Sequence, residues 1–92
     1  MSQSATHTSH PQIVNRLKRA EGHLRSIVTM IEDERPCLDI AQQLHAVEKA
    51  VAQAKKRLVR DHIDNCLADA VDGGPHGRHG SMEELKAIAQ YL

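Results

Sequence analysis

The sequence predicts an all-α fold, on three observations. Apolar residues recur every three or four positions through two long stretches. No stretch alternates with the two-residue period of a strand. The apolar content is Leu, Ile, Val and Ala, with no Trp, no Phe and one Tyr. Ninety-two residues make one small domain whose core is marginal for a monomer, so helices are expected to pack across subunits.

Residues 1 to 8 are rich in Ser, Thr, Gln and His, and read as a disordered N-terminal arm. A single helical domain follows over 9–92, with helices expected at about 10–33, 36–70 and 81–91. Ser9-His10-Pro11 reads as a helix start. Ile13, Leu17, Ala20, Leu24, Ile27, Val28 and Ile31 then line one face. Gly22 costs this helix about 1 kcal/mol relative to Ala, so close approach of a neighbouring helix is expected there. Asp33-Glu34-Arg35-Pro36 is a stop followed by a restart.

The second helix carries Ile40, Leu44, Val47, Val51, Ala54 and Leu58, a seam like that of a coiled coil. The next steps of four reach His62 and Cys66. Cys37 sits three residues before Ile40, on or near the same stripe. Asp72 to Gly80 is a loop of breakers containing His76 and His79. Ser81 and Glu84 have capping-box spacing, and a short helix follows with Leu85 and Ile88 on its apolar side.

Cys37, His62 and Cys66 carry the chemistry. His62 and Cys66 stand one helical turn apart on one face. On one continuous helix Cys37 lies about 37 Å from His62, at 1.5 Å per residue. One chain cannot join them. Two antiparallel helices bring Cys37 of one chain to His62 and Cys66 of the other, so the site requires an oligomer. Two thiolates and an imidazole suit soft ions: Cu(I) takes three such donors well, Zn(II) usually wants a fourth, and imidazole also suits Ni(II) and Co(II). His7 or His10 is a candidate extra ligand, although no periodicity fixes either. The competing reading of His62 and Cys66 is a polar helix-end residue and an ordinary buried thiol.

Twelve basic and twelve acidic residues leave no net charge, but the charges cluster. Arg16, Lys18, Arg19 and the group Lys55, Lys56, Arg57 and Arg60 offer cations for DNA phosphates, without a recognisable DNA-reading motif. His23 and His45 read as helix-surface or interface residues. Nothing resembles a nucleophile elbow, a phosphate loop or a carboxylate pair, so an enzyme is not expected. Two cysteines are too few for a disulfide framework, no apolar run approaches a membrane span, and the first ten residues have no signal-peptide core. A cytoplasmic protein with reduced thiols is the expectation.

Asn15-Arg16-Leu17-Lys18, Gly22-His23-Leu24, Cys37, Gln42-Gln43-Leu44, Ala46-Val47, His62 and Cys66 together resemble the CsoR/RcnR/FrmR family of bacterial metal- and formaldehyde-sensing repressors. The resemblance runs from about Pro11 to the C-terminus. It implies three-helix subunits that pair through their first two helices and assemble as a dimer of dimers. It also implies operator binding without effector and release when effector binds between subunits. Cys66 resembles the copper(I) sensors, with Cys37 from one subunit and His62 and Cys66 from the other. Cobalt and nickel sensors typically carry His at the Cys66 position and add an N-terminal His. A nickel-sensing subgroup keeps the Cys and also uses an N-terminal His, which leaves His7 and His10 in play.

Formaldehyde sensing through Cys37 would call for Pro at the extreme N-terminus, where this chain has Ser2. Persulfide sensors lack the His. Glu84 resembles a third-helix Glu that sits behind the copper ligands, while Pro36 occupies the place of a Tyr in that group. Arg16 matches a DNA-contacting position; a second such position holds Gln53, with Lys55, Lys56 and Arg57 nearby in sequence to compensate. A metal buffer without an operator, or a thiol-reactive sensor through Cys37, are the competing functions.

Overall fold

The computed structural model describes residues 9–72 and 82–92, with the side chains of 69–72 left out of account. Three α-helices and no strand occur among them: α1 (His10–Glu32), α2 (Cys37–Asp72) and α3 (Met82–Ala89). The readings of His7, of the 73–80 loop and of the Ser81 cap lie outside the described residues.

The residues group into two compact units. The first comprises Gln12–Ala54, most of α1 and the first half of α2. Ala20, Ile27 and Val47 form its buried cluster, with Ile40 packed against it. Ile27 is 1% exposed, and full burial of such a side chain contributes roughly 1.5–3 kcal/mol. Ile13 and Ala54 are buried as well. The inward residues follow one another at intervals of seven: Ile13, Ala20, Ile27 on α1 and Ile40, Val47, Ala54 on α2. A second row on each helix, also at sevens, is exposed: Leu17, Leu24 and Ile31 on α1, and Leu44, Val51 and Leu58 on α2. The single seam read from α2 thus divides into a row that packs within the chain and a row that does not.

The second unit contains residues 9–11, 55–72 and 82–92. Val59 is buried there, as is Ser9 at the start of α1. Leu85 and Ile88 of α3 are half-buried. The last turn tightens through bonds from Gln90, Tyr91 and Leu92 to carbonyls three residues back.

The turn between α1 and α2 is a Schellman motif. Arg35 N–H donates to Met30 O and Glu34 N–H to Ile31 O, each at 3.0 Å. The motif needs a left-handed residue, and Glu34 fills that place with φ 57°. Glycine is the usual occupant because a Cβ is strained there. Pro36 then accepts the first bond of α2 from Ile40 N–H, so α2 begins at Cys37 and not at the proline.

Gly22 departs from expectation. A Cβ built there meets nothing within 4 Å. The residue lies about 160° around α1 from Ala20, facing away from the core.

Two stability measurements follow from these backbone features. Glu34→Gly relieves the left-handed strain and should raise Tm by roughly 1–5 °C in thermal unfolding, a gain of up to about 1 kcal/mol; a fall would mean the Glu34 side chain makes a stabilising contact. Gly22→Ala should stabilise α1 by about 0.5–1 kcal/mol. Destabilisation, or a change in oligomeric state by sedimentation, would instead place a partner subunit against that face.

Candidate functional site

Cys37 is the first residue of α2 and is exposed. It lies seven residues before Leu44 and so extends the exposed row of Leu44, Val51 and Leu58 by one step upstream. His62 and Cys66 continue that row by steps of four at the other end of the helix, and both are half-buried. Because α2 runs without interruption from Cys37 to Asp72, about 37 Å of helix, at 1.5 Å per residue, separates Cys37 from His62. No group of three metal-binding side chains forms among the described residues of one chain. Two thiols and an imidazole are donors that suit a soft ion, and within one chain the described residues do not gather them.

Asp61, next to His62, ties the start of α1 to this part of α2. Its carboxyl is held below the usual carboxylate range, first by the Ser9 hydroxyl, then by Arg57 and the charge of His10, against a burial effect that pushes it up. Ser9 Oγ makes no hydrogen bond of full geometry, so its hold on Asp61 is loose. Arg57 Nε–H is the defined donor, at 3.0 Å from Asp61 Oδ2. His10 belongs to α1, as its helix-start reading expects. It opens α1, close enough to Asp61 for its charge to be felt one residue from His62.

Glu84 lies in the first turn of α3 beside Glu83, where a negative charge is favoured by the helix dipole. It belongs to the same unit as His62 and Cys66.

The basic residues separate into groups. Arg16 and Arg19 line an open cleft of about 370 Å³ together with Ala20, His23, Ala50 and Gln53. Lys18 is about 160° around α1 from Arg16 and faces elsewhere. Lys55, Lys56, Arg57 and Arg60 are exposed and belong to the other unit; Arg57 is engaged by Asp61. Sequence reasoning set His23 aside as a surface or interface residue. The structure puts it in the cleft with its Nε2 2.6 Å from Gln43 Oε1. Residues twenty apart on two helices give no spacing signal that predicts such a pair.

No helix among the described residues is long and apolar enough to cross a membrane.

Comparison with known proteins converges on one family. The model of the metal-sensitive transcriptional repressors matches residues 9–91. The copper-sensing transcriptional repressor CsoR of Bacillus subtilis (strain 168) is 46% identical over 80 residues, covering 87% of this chain and 78% of its own. The copper-sensing repressor RicR of Mycobacterium tuberculosis is 36% identical over 77 residues, with coverage of 84% and 80%. Among solved structures, the nickel-responsive transcriptional regulator InrS superposes with a TM-score of 0.75 at 33% identity, covering 91% of this chain and 93% of that one. With a fold that superposes on InrS and a family match across almost its whole length, this chain belongs to the CsoR/RcnR family of metal-sensitive transcriptional repressors, and its likeness is to the copper-sensing type.

Proposed function

We propose that residues 9–92 act as one sensor and DNA-binding domain that represses transcription from operator DNA when metal-free and releases it when Cu(I) binds. The observation that carries this reading is the row Cys37, Leu44, Val51, Leu58, followed by His62 and Cys66. The leucines and valine between the ligands are 38–44% exposed in the single chain. Exposed apolar rows of this length are normally covered by a partner. An antiparallel α2 from a second subunit covers them and brings Cys37 of one subunit to the partner subunit's His62 and Cys66. Leu17, Leu24 and Ile31 widen the same need for cover on α1, in keeping with a homo-oligomer built as a dimer of dimers.

Three soft donors from two chains couple metal binding to quaternary geometry. Cys37 opens one α2, and His62 and Cys66 lie near the end of the other. Joining them fixes the offset between the two helices. Arg16 and Arg19 on α1, and the Lys55–Arg60 group on α2, are carried by those same helices, so the spacing of phosphate-binding cations changes with the offset. Lys18 contributes charge from the opposite flank of α1. Glu84 on α3, in the same unit as His62 and Cys66, is the carboxylate assigned to respond to the site's charge. Linkage requires that metal bind the DNA-free oligomer more tightly than the DNA-bound one.

A second reading, Ni(II) as effector, has its own support. InrS is described as nickel-responsive, and His10 sits within Coulombic reach of Asp61, the neighbour of His62. His10 would then add a nitrogen donor. Co(II) and Zn(II) would use the same enlarged set.

The test is DNA binding by fluorescence anisotropy under anaerobic conditions, on the region upstream of the protein's own operon, with Cu(I) and Ni(II) titrated separately. Wild type should be released by Cu(I). Cys37→Ala should bind DNA within about twofold of wild type, because an exposed side chain away from the contacts changes little, and should resist release. Release of Cys37→Ala by Cu(I) would remove Cys37 from the site. Release of wild type by Ni(II) alone, abolished in His10→Ala, would establish the second reading. A separate check is Val51→Asp, which should shift sedimentation towards the monomer by placing a charge in the middle of the apolar row; an unchanged oligomer would mean the row is not the interface.

A further inference from the structure

Two charged residues, Glu48 and Lys55, share a flank of α2 with Cys37, His62 and Cys66. At 3.6 residues per turn all five fall about 20–60° around the helix from Val51, on the same side of it. The inward residues Val47 and Ala54 lie about 40–60° away on the other side. Neither charge is well satisfied within its own chain. Glu48 reaches only His45, at 3.7 Å, with the two side chains 80% and 71% exposed. Lys55 is exposed and forms no salt bridge among the described residues. The two cannot pair with each other on one helix, because seven residues exceed the spacings of three and four at which side chains meet.

This flank is nearly symmetric about Val51. Leu44 and Leu58 stand seven residues to either side. Glu48 stands three residues before and Lys55 four after. Cys37 stands fourteen before, with His62 and Cys66 eleven and fifteen after. In an antiparallel pair of α2 helices that cross at Val51, a residue before the crossing meets one at the same distance beyond it. Leu44 then meets the partner subunit's Leu58, and Cys37 meets the partner subunit's His62 and Cys66. Glu48 meets the partner subunit's Lys55. Apolar, charged and metal-binding side chains are matched at a single register.

The apolar row cannot choose that register, because it repeats at seven and accepts a slip of one heptad. The charges can. A slip of seven residues one way sets Glu48 against Glu48, and the other way sets Lys55 against Lys55. A parallel pair does both. Like charges placed opposite each other disfavour all three alternatives.

We propose that Glu48 and Lys55 form two symmetry-related ion pairs between antiparallel α2 helices and select the register in which Cys37, His62 and Cys66 come together. The proposal rests on the antiparallel-pair reading above and deepens it, since the protein then selects the heptad of its shared site without metal. Lys55 faces the partner subunit and leaves the group of cations offered to DNA.

The experiment follows subunit association of the full-length, metal-free protein by sedimentation over a dilution series, at low salt and at about 1 M salt. Wild type is compared with Glu48→Lys, with Lys55→Glu, with the double variant and with an equimolar mixture of the two single variants. Circular dichroism first shows that each keeps its helix content. Each single variant puts like charges together twice per helix pair and should associate roughly 4- to 25-fold more weakly, the size of two exposed ion pairs. The double variant and the mixture each restore opposite charges and should return to within about threefold of wild type. Recovery in the mixture can arise only between subunits. About 1 M salt should erase most of the differences. Single variants that associate like wild type, while Val51→Asp dissociates, would overturn the ion pairs and leave the interface standing. Single variants that weaken association without recovery in either the double variant or the mixture would overturn them as well. A wild type that stays monomeric throughout would overturn both readings.

Discussion

Unbroken backbone hydrogen bonding from Cys37 to Asp72 holds the two ends of α2 apart, and most of the functional reading depends on that rigidity. A kinked or interrupted helix could fold Cys37 back onto His62 and Cys66 and make a metal site within one subunit. A continuous helix forbids it. The same continuity sets the exposed residues between Cys37 and His62 in a regular row. The candidate metal-binding side chains and the uncovered apolar row thus belong to one element.

The division of apolar rows leaves this small chain with large apolar side chains that its own core does not cover. The inward rows on α1 and α2 include Ala20 and Ala54, whose small side chains let helices approach but bury little area. The larger residues at Leu17, Leu24, Leu44 and Leu58 are in the other row and stay exposed. With alanine at two of the six inward positions and leucine at four of the six outward ones, the hairpin buries a small core and leaves a broad apolar face uncovered.

The three helices were legible because periodicity of three and four survives any choice of partner. Which apolar row packs within the chain was not legible, because both rows repeat at seven and hydrophobicity alone does not rank them. Cys37, His62 and Cys66 were legible as candidates from spacing along α2 and from the chemistry of thiol and imidazole, and the structure keeps all three on the one helix. His10 at the head of α1 needed the structure, since its proximity to Asp61 comes from the return of α2 and not from any local pattern. The His23–Gln43 link was invisible for the same reason. The helix-breaking cost of Gly22 suggested a close neighbour, and none comes from its own chain, because its angular position puts it on the outer flank of α1. Glu34 occupies a left-handed position that a sequence reader assigns to glycine, so the stop was readable but its geometry was not.

The most direct test of the central claim, a site shared between antiparallel subunits, is complementation. Cys37→Ala protein and the double variant His62→Ala, Cys66→Ala are each loaded with Cu(I) under a competing chelator, separately and after subunit exchange. Each alone lacks the full trio in every site. A mixed dimer regains one complete site, with Cys37 from the double variant and His62 and Cys66 from the other subunit. Recovery of high-affinity Cu(I) binding only on mixing is the predicted result. If mixing restores nothing although exchange is shown to occur, the ligands are not shared across the interface.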